Sequence, residues 1–211
     1  MSAHNGSQEQ PLIDARRAAQ IGPDKPGQIS TRPVHNGRVV DLAMDTVRFP
    51  DGSEGELELI RHSGASAVLP VLEDGDDPQI LLIRQFRYAA GGDILEVPAG
   101  RPEPGEDWIT CARRELEEEV GLQAGRLVRL STIYTTPGFT DERIHLFLAL
   151  DNRPGTVNRD ADEFLKLLPM PISRALQHIQ DGLIVDAKSI ATLHLASAWL
   201  ASPESFAGRV A

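Results

Sequence analysis

Three glutamates of one predicted helix have the residue types and the spacing of a cation site. Residues 107–120 carry apolar side chains at helical spacing, which predicts a helix with one buried stripe. At 100° per residue, Glu115, Glu118 and Glu119 fall within an arc of about 100° beside that stripe. Like charges at such spacings each cost roughly 0.2–0.5 kcal/mol. A hard cation such as Mg²⁺ or Mn²⁺ binds clustered carboxylate oxygens and would reverse this cost.

The flanking residues decide between a cation site and an ordinary solvated helix face. From Gly100 the chain reads glycine, five residues, glutamate, seven residues, and then Arg-Glu-Leu-Glu-Glu-Glu-Val-Gly-Leu. This pattern resembles the Nudix box, and all of its fixed positions are filled. They are Gly100, Glu106, Arg114, Glu115, Leu116, Glu118, Glu119, Gly121 and Leu122. At average residue frequencies such a match arises by chance with a probability on the order of 10⁻⁷, so we favour the cation site.

Resemblance to the Nudix family implies a fold and a set of metal ligands. The implied fold is α/β, an α/β/α sandwich around a mixed sheet, here preceded by a small N-terminal β-sheet. The ligand positions of the family fall on Glu115, Glu118 and Glu119, and the carbonyl oxygen of Ala99 commonly completes the coordination shell. Arg114 would orient these carboxylates by charge-assisted hydrogen bonds. The expected cofactor is therefore Mg²⁺ or Mn²⁺.

The reaction of this family also needs a group that activates water, and two loop carboxylates compete for that role. Glu142 resembles the catalytic glutamate of some ADP-ribose hydrolases. Glu163, in an acidic loop, resembles the residue that other members use. Either could instead be a solvated loop carboxylate. If neither acts, Glu118 or the cations alone must activate the water.

Three further features resemble the ADP-ribose and nucleoside-diphosphate-sugar pyrophosphatases. Arg84 and Arg87 end a predicted strand, and in that subgroup the second arginine contacts the diphosphate. Both arginines could instead be surface residues. Pro137 lies sixteen residues beyond Gly121, a distance typical of the subgroup, although a turn of this kind can be purely structural. Residues 182–192 resemble its closing segment.

These resemblances predict metal-dependent hydrolysis of the pyrophosphate bond of ADP-ribose or a related nucleoside diphosphate sugar. The products would be AMP and a sugar phosphate. One alternative is a Nudix hydrolase for another nucleotide, such as a dinucleotide polyphosphate, NADH or an oxidised nucleoside triphosphate. A second alternative, from another class, is a ligand-sensing module without turnover, against which the intact glutamates argue.

The elements that must position these residues are predicted from hydrophobic periodicity and turn signals. The expected strands are 39–48, 54–61, 67–72, 79–87, 93–98, 127–134, 144–150 and 164–168. The expected helices are 107–120, 172–180 and 187–200. We expect a loosely ordered segment with short extended pieces over 1–35, the small sheet over 36–62 and the Nudix domain over 63–205. In the subgroup the small sheet is exchanged between two subunits, which implies a homodimer.

Composition limits the compartment and the partners. The formal net charge of −10 repels nucleic-acid polymers, so the expected partner is a small nucleotide substrate. Cys111 is the only cysteine, which excludes an intrachain disulfide and favours a reducing compartment. The sequence has neither a signal-peptide pattern nor a run of apolar residues long enough to span a membrane. We therefore expect a cytoplasmic protein that does not bind membranes.

Overall fold

A computed structural model describes residues 27–159 and 165–206 of the chain. The chain divides into two compact units, with the boundary between Arg61 and His62. In the described residues no helix is both long and apolar enough to cross a membrane.

The first unit is a three-stranded antiparallel sheet. Its strands are β1 (Gln28–Asn36), β2 (Asp41–Arg48) and β3 (Glu54–Arg61), in the order β1-β2-β3. Asp51, in the turn between β2 and β3, accepts hydrogen bonds from the amide and the hydroxyl of Ser53, which closes that turn. Strand β1 extends over residues for which the sequence predicted only short extended pieces. Strand β1 forms because it pairs with β2, and a local sequence pattern does not reveal such a pairing.

The second unit is built on a mixed sheet of seven strands. They are β4 (Ala65–Glu73), β5 (Gln79–Arg87), β6 (Gly92–Glu96), β7 (Ala99–Gly100), β9 (Arg126–Tyr134), β10 (Arg143–Leu150) and β12 (Leu165–Pro171). The main order is β12-β5-β4-β10-β9, with β6 beside β5 and β7 beside β4. Strands β4 and β10 are parallel, and the other pairs are antiparallel. Two short strands, β8 (Leu122–Gln123) and β11 (Arg153–Pro154), form a separate pair.

Helices cover both faces of the mixed sheet. They are α1 (Trp108–Val120), α2 (Ile172–Gln180) and α3 (Ala187–Ala201), and single 3-10 turns occupy Tyr88–Ala90 and Pro203–Phe206. One core joins α1 to one sheet face through buried residues such as Leu116, Ile83 and Phe147. The other core joins α2 and α3 to the opposite face through residues such as Leu82 and Leu193. This arrangement confirms the predicted α/β/α sandwich around a mixed sheet.

The ends of α1 follow from its sequence. The Asp107 carboxylate accepts hydrogen bonds from the amides of Ile109 and Thr110, so it caps the first turn. Gly121 takes a left-handed conformation with φ of 72° and donates to the carbonyl of Glu117, which ends the helix.

Strand β6 ends earlier than its sequence predicted. The apolar run suggested a strand to residue 98, whereas the ladder stops at Glu96. The Val97 amide donates to the Ser189 hydroxyl, and the Pro98 carbonyl accepts from the Val68 amide. Both backbone groups therefore have partners outside the β5–β6 ladder.

Candidate active site

Gly100 brings one carboxylate of α1 against the backbone of β7. A Cβ atom at Gly100 would lie only 2.0 Å from Cδ of Glu115, so a side chain at this position would displace the Glu115 carboxylate. The first position of the box is therefore a glycine because the Glu115 carboxylate occupies the space where a side chain would begin. Glu115 is 8% exposed at this position.

Arg114 holds three carboxylates of the box together. Its Nε and Nη2 atoms donate to the two oxygens of Glu106, each at 2.9 Å. Its Nη1 atom donates to Glu115 at 2.8 Å and to Glu118 at 2.9 Å. The hydrogen bond to Glu106, followed by that to Glu118, raises the pKa of Arg114 above its ordinary value, against the effect of burial. We call these four residues the Arg114 cluster.

Glu119 approaches the same edge of β7 from the end of α1. Its Oε2 atom accepts a hydrogen bond from the Ala99 amide at 3.1 Å, and the residue is 2% exposed. The structure thus places Glu115 and Glu118 together at Arg114, and Glu119 beside Ala99. A buried carboxylate at a backbone strand end is a suitable neighbour for a hard cation.

The donor set of this region fits divalent cations, although the side chains are not arranged as a metal site. Among the described residues, no three Asp, Glu, His or Cys side chains are placed to hold a metal ion. Glu115 and Glu118 both point to Nη1 of Arg114 instead. Three carboxylates share one guanidinium in the Arg114 cluster, so carboxylate oxygens are in excess. Arg114 uses one carboxylate oxygen each of Glu115 and Glu118, and cation binding would require the three carboxylates of α1 to move closer together.

A second cluster surrounds the buried carboxylate of Glu96 at the end of β6. Arg87 donates from Nε and Nη2 to the two carboxylate oxygens, each at 2.8 Å. Lys188, in the first turn of α3, donates to Glu96 at 2.7 Å and to Asp186 at 2.9 Å. We call these four residues the Glu96 cluster.

The Glu96 cluster keeps a buried carboxylate ionised. Burial alone would raise the pKa of Glu96, which is 1% exposed. The hydrogen bond from Arg87 and the charge of Lys188 outweigh burial and lower that pKa. The hydrogen bond to Glu96 raises the pKa of Arg87, and the charge of Glu119 contributes. Glu96 stands three residues before Ala99, whose amide donates to Glu119, so the predicted phosphate-binding arginine and the end of α1 meet the same short segment of chain.

The structure separates Arg84 from Arg87. Arg84 pairs with Asp93 at 2.7 Å, and the two side chains are 48% and 41% exposed. Residues three apart on a strand point to opposite faces, so Arg84 does not join the Glu96 cluster. The interpretation of Arg84 as an ordinary surface residue agrees with this position.

The loop that contains Pro137 holds Glu142 in a defined position. The amides of Phe139 and Thr140 both donate to the Thr136 carbonyl, which makes a compact turn around Pro137. The Glu142 carboxylate accepts a hydrogen bond from the Thr135 hydroxyl at 2.8 Å. It also lies 3.4 Å from Nδ1 of His62, a residue to which sequence reasoning gave no role. The Glu142 side chain is 27% exposed, so one side remains open to solvent.

Glu163, the alternative base, lies outside the described residues. The chain that leads to it is attached to the box helix, because Nε of Arg159 donates to the Glu119 carbonyl at 2.7 Å. The Asn158 amide donates to the Glu118 carbonyl at 3.0 Å. Residue 159 therefore sits at the end of α1 that carries the predicted metal ligands.

Sequence reasoning missed the roles of Glu96, Asp186 and Lys188. A signal was present, since Glu96 stands between apolar neighbours in an otherwise buried segment. A charge in such a place requires a partner. One of its partners, Lys188, however, lies 92 residues away along the chain.

The family comparison agrees with this geometry. The model of the NUDIX domain matches residues 61–191. The chain belongs to the Nudix family. It is a Nudix pyrophosphohydrolase by class, and members of the family generally require a divalent metal ion.

Relatives of this Nudix protein include proteins named for two different activities. The methanol dehydrogenase activator of Bacillus methanolicus is 38% identical over 77% of this chain and 87% of its own. The ADP-ribose pyrophosphatase of Bacillus subtilis (strain 168) is 37% identical over 76% of this chain and 86% of its own. The crystal structure of an ADP compounds hydrolase superposes with a TM-score of 0.72 and 25% identity, over 87% of this chain and 98% of that one.

Proposed function

We propose that this protein hydrolyses the pyrophosphate bond of ADP-ribose or a related nucleoside diphosphate sugar, releasing AMP and a sugar phosphate. The observation that carries the proposal is the position of Arg87, a half-exposed cation that pairs with Glu96, three residues before Ala99, whose amide donates to Glu119. A diphosphate bound at Arg87 would lie beside the carboxylate face of α1. The relatives named for pyrophosphatase activity support this substrate class.

Mg²⁺ or Mn²⁺ is the proposed cofactor. Glu115, Glu118 and Glu119, with the carbonyl oxygen of Ala99, are the groups that would hold it. When bound, such cations neutralise charge on the phosphoryl oxygens and acidify water. Arg114 orients two of these carboxylates directly, through its bonds to Glu115 and Glu118.

The other tasks fall to residues of this chain that need no metal. Arg87 donates from Nε and Nη2 to Glu96, which fixes the guanidinium, and its Nη1 atom binds and orients the diphosphate. Glu142 accepts a proton from the attacking water. The hydroxyl of Thr135 donates a hydrogen bond to the Glu142 carboxylate and so fixes its position. Glu163 remains the alternative base.

The reaction can be tested with purified protein and four substrates: ADP-ribose, ADP-mannose, ADP-glucose and NADH. Liquid chromatography should detect AMP and ribose 5-phosphate from ADP-ribose when Mg²⁺ or Mn²⁺ is added, and no products after exhaustive chelation. Brisk cleavage of another nucleotide with none of ADP-ribose would contradict the substrate. ADP-ribose binding without cleavage of any substrate would favour a ligand-sensing module.

The base can be tested by comparing Glu142→Gln with Glu163→Gln. General-base assistance is worth about 10²–10⁴-fold, so the replacement at the true base should lower kcat by that factor with little change in KM. The other replacement is the matched control and should change kcat much less. Near-normal kcat in both variants would eliminate a loop base.

We also propose a homodimer in the cytoplasm, in which residues 36–62 contribute to the interface. Within residues 36–62, Ala43 and Asp45 are buried, whereas the apolar side chains of Phe49 and Leu57 are 37% and 48% exposed. Large apolar residues exposed on one small sheet favour a partner surface. Sedimentation at micromolar concentration should give a dimer, and an active monomer would contradict the proposal. Cell fractionation tests the compartment.

A further inference from the structure

Lys188 is placed where it can act on Arg87 without touching the substrate. Its side chain is 11% exposed, and Nζ is shared between Glu96 at 2.7 Å and Asp186 at 2.9 Å. The Arg87 side chain, in contrast, is 41% exposed. The buried lysine and the half-exposed arginine contact the same carboxylate, so a change at one alters the electrostatics of the other.

The charges of the Glu96 cluster balance because Lys188 is present. Two cations, Arg87 and Lys188, face two carboxylates, Glu96 and Asp186. Without the lysine, Arg87 would be the only cation hydrogen-bonded to the buried carboxylate. Most of its charge would then be neutralised by Glu96, leaving a weaker positive field for a diphosphate.

The position of Lys188 does not depend on its own charge. The Asp186 carboxylate caps α3 by accepting from the Ser189 amide at 2.9 Å. The Ser189 hydroxyl accepts from the Val97 amide at 2.8 Å, which attaches the start of α3 to the end of β6. These bonds remain when the lysine is replaced, so a neutral side chain of similar length can occupy the same place.

We propose that Lys188 is a positioning residue of the diphosphate site, which neutralises Glu96 so that Arg87 keeps its charge available for the substrate. This inference rests on the proposed function for the identity of the ligand. Lys188 acts through Glu96 and Arg87, and Asp186 holds its ammonium group in place. The Glu96 cluster sets the charge that Arg87 presents to the diphosphate. The protein should therefore prefer a ligand with two linked phosphates to a ligand with one phosphate.

The test compares Lys188→Met with Lys166→Met, a replacement of an exposed lysine on β12. Calorimetry in metal-free buffer measures the Kd of ADP and of AMP, ligands that differ by one phosphate. Lys188→Met should raise the Kd of ADP about 10-fold to 100-fold and that of AMP less than about threefold. Lys166→Met should leave both unchanged. Equal weakening of ADP and AMP, or no weakening, would overturn the proposal.

A double variant separates an electrostatic role from a purely structural one. Glu96→Gln combined with Lys188→Met removes one charge of each sign, so ADP affinity should recover several-fold relative to Lys188→Met alone. A merely structural lysine predicts no recovery. If Lys188→Met does not fold, Lys188→Arg replaces it, and its charge should preserve ADP affinity within about threefold. Loss of ADP affinity in Lys188→Arg, at an unchanged melting temperature, would also overturn the proposal.

These binding measurements distinguish this inference from the proposed function. A wild-type protein that binds ADP more tightly than AMP but cleaves no ADP-ribose refutes the hydrolase proposal. The comparison of Lys188→Met with wild type still decides the role of the lysine in that case. A wild-type protein that does not prefer ADP to AMP refutes the inference, whatever it hydrolyses.

Discussion

The Arg114 cluster and the Glu96 cluster are both built from arginine and glutamate, yet their charges balance differently. In the Arg114 cluster one guanidinium serves three carboxylates, and the Glu118 side chain is 33% exposed. In the Glu96 cluster two cations serve two carboxylates, and the central side chain is 2% exposed. The four residues of the first cluster carry a net negative charge, whereas the charges of the second cancel.

Under the proposed function, this difference gives the two clusters separate tasks in one reaction. A site with excess carboxylate can take up added cations and release them, which suits a dissociable metal cofactor. A cluster whose charges balance and whose central carboxylate is buried is preorganised before the substrate binds. Such a fixed geometry suits recognition of the diphosphate. The following predictions test this division, from the largest expected effect to the smallest.

Removing a carboxylate from the Arg114 cluster should abolish most activity. We expect Glu115→Gln to lower kcat by at least about 10³-fold, because one ligand of the proposed cations is lost. Steady-state kinetics over a range of Mg²⁺ and Mn²⁺ concentrations measures this effect. The control is Glu117→Gln on the same helix, whose side chain instead contacts Gln123 and the Thr156 amide. Similar losses in the two variants would mean that helix integrity, not ligation, is affected.

Removing one carboxylate from each cluster should lower the stability of the metal-free protein by very different amounts. Glu96→Gln leaves Lys188 buried with one carboxylate fewer, so it should lower the free energy of unfolding by about 3–5 kcal/mol. Glu118→Gln relieves excess negative charge and should change it by less than about 1 kcal/mol. Urea unfolding followed by circular dichroism gives both values. Equal destabilisation would remove the basis for treating the clusters differently.

His145 shows how burial changes a pKa when the nearby charges have the same sign as the protonated ring. Its ring stacks on Trp108 at 4.2 Å, and burial, with the charges of Arg129 and Arg143, lowers its pKa to about 4 from an ordinary value of 6.5. Between these values the unfolded chain binds a proton that the folded chain excludes, so stability is lost as pH falls from 6.5 to 4.

The loss contributed by His145 should be on the order of 2–3 kcal/mol. Urea unfolding at several pH values should therefore show the wild type losing stability relative to His145→Leu over this range. The other histidines are common to both proteins, so their contributions cancel in the difference. A difference that is constant between pH 4 and 6.5 would mean that His145 is not held neutral by burial.

The smallest expected effect is on the KM for ADP-ribose, and it should differ between the two arginines of β5. Arg87→Gln should raise the KM for ADP-ribose about 10-fold to 100-fold, since it removes a charged donor from the diphosphate site. Arg84→Gln should raise it less than about threefold, because that side chain forms an exposed pair with Asp93. Kinetics of both variants under one metal concentration provides the comparison. A larger effect at Arg84 would place the diphosphate on the other face of the strand.

Local signals in the sequence were sufficient for the box helix. Asp107 and Gly121 are cap residues by type, and the observed helix, Trp108–Val120, lies between them. The apolar runs located most strands of the mixed sheet to within a few residues, because a strand that is covered by helices on both faces is apolar over much of its length. The comparisons and the structure confirm the fold class, and the family match confirms the family.

The remaining features depend on contacts between distant residues. Strand β1 is ordered by its ladder with β2, and the two-residue strand β7 exists because Ala99 pairs with Ala67. A short stretch of sequence around Glu96 does not reveal its partner Lys188 on α3, just as it does not reveal these strand pairings. The roles of Glu142 and Glu163 remain predictions, since they concern a substrate and an acidic loop outside the described residues.

The attachment of α3 to the end of β6 also sets the order in which the molecule becomes functional during synthesis. Arg87 and Glu96 leave the ribosome about a hundred residues before Lys188 does. Until the Ser189 hydroxyl meets the Val97 amide, Glu96 has neither its lysine nor the packing of α3 around it. The Glu96 cluster is therefore completed only after the start of α3 has been made. A nascent or truncated chain that already contains the entire box still lacks the balanced cluster that we assign to diphosphate recognition.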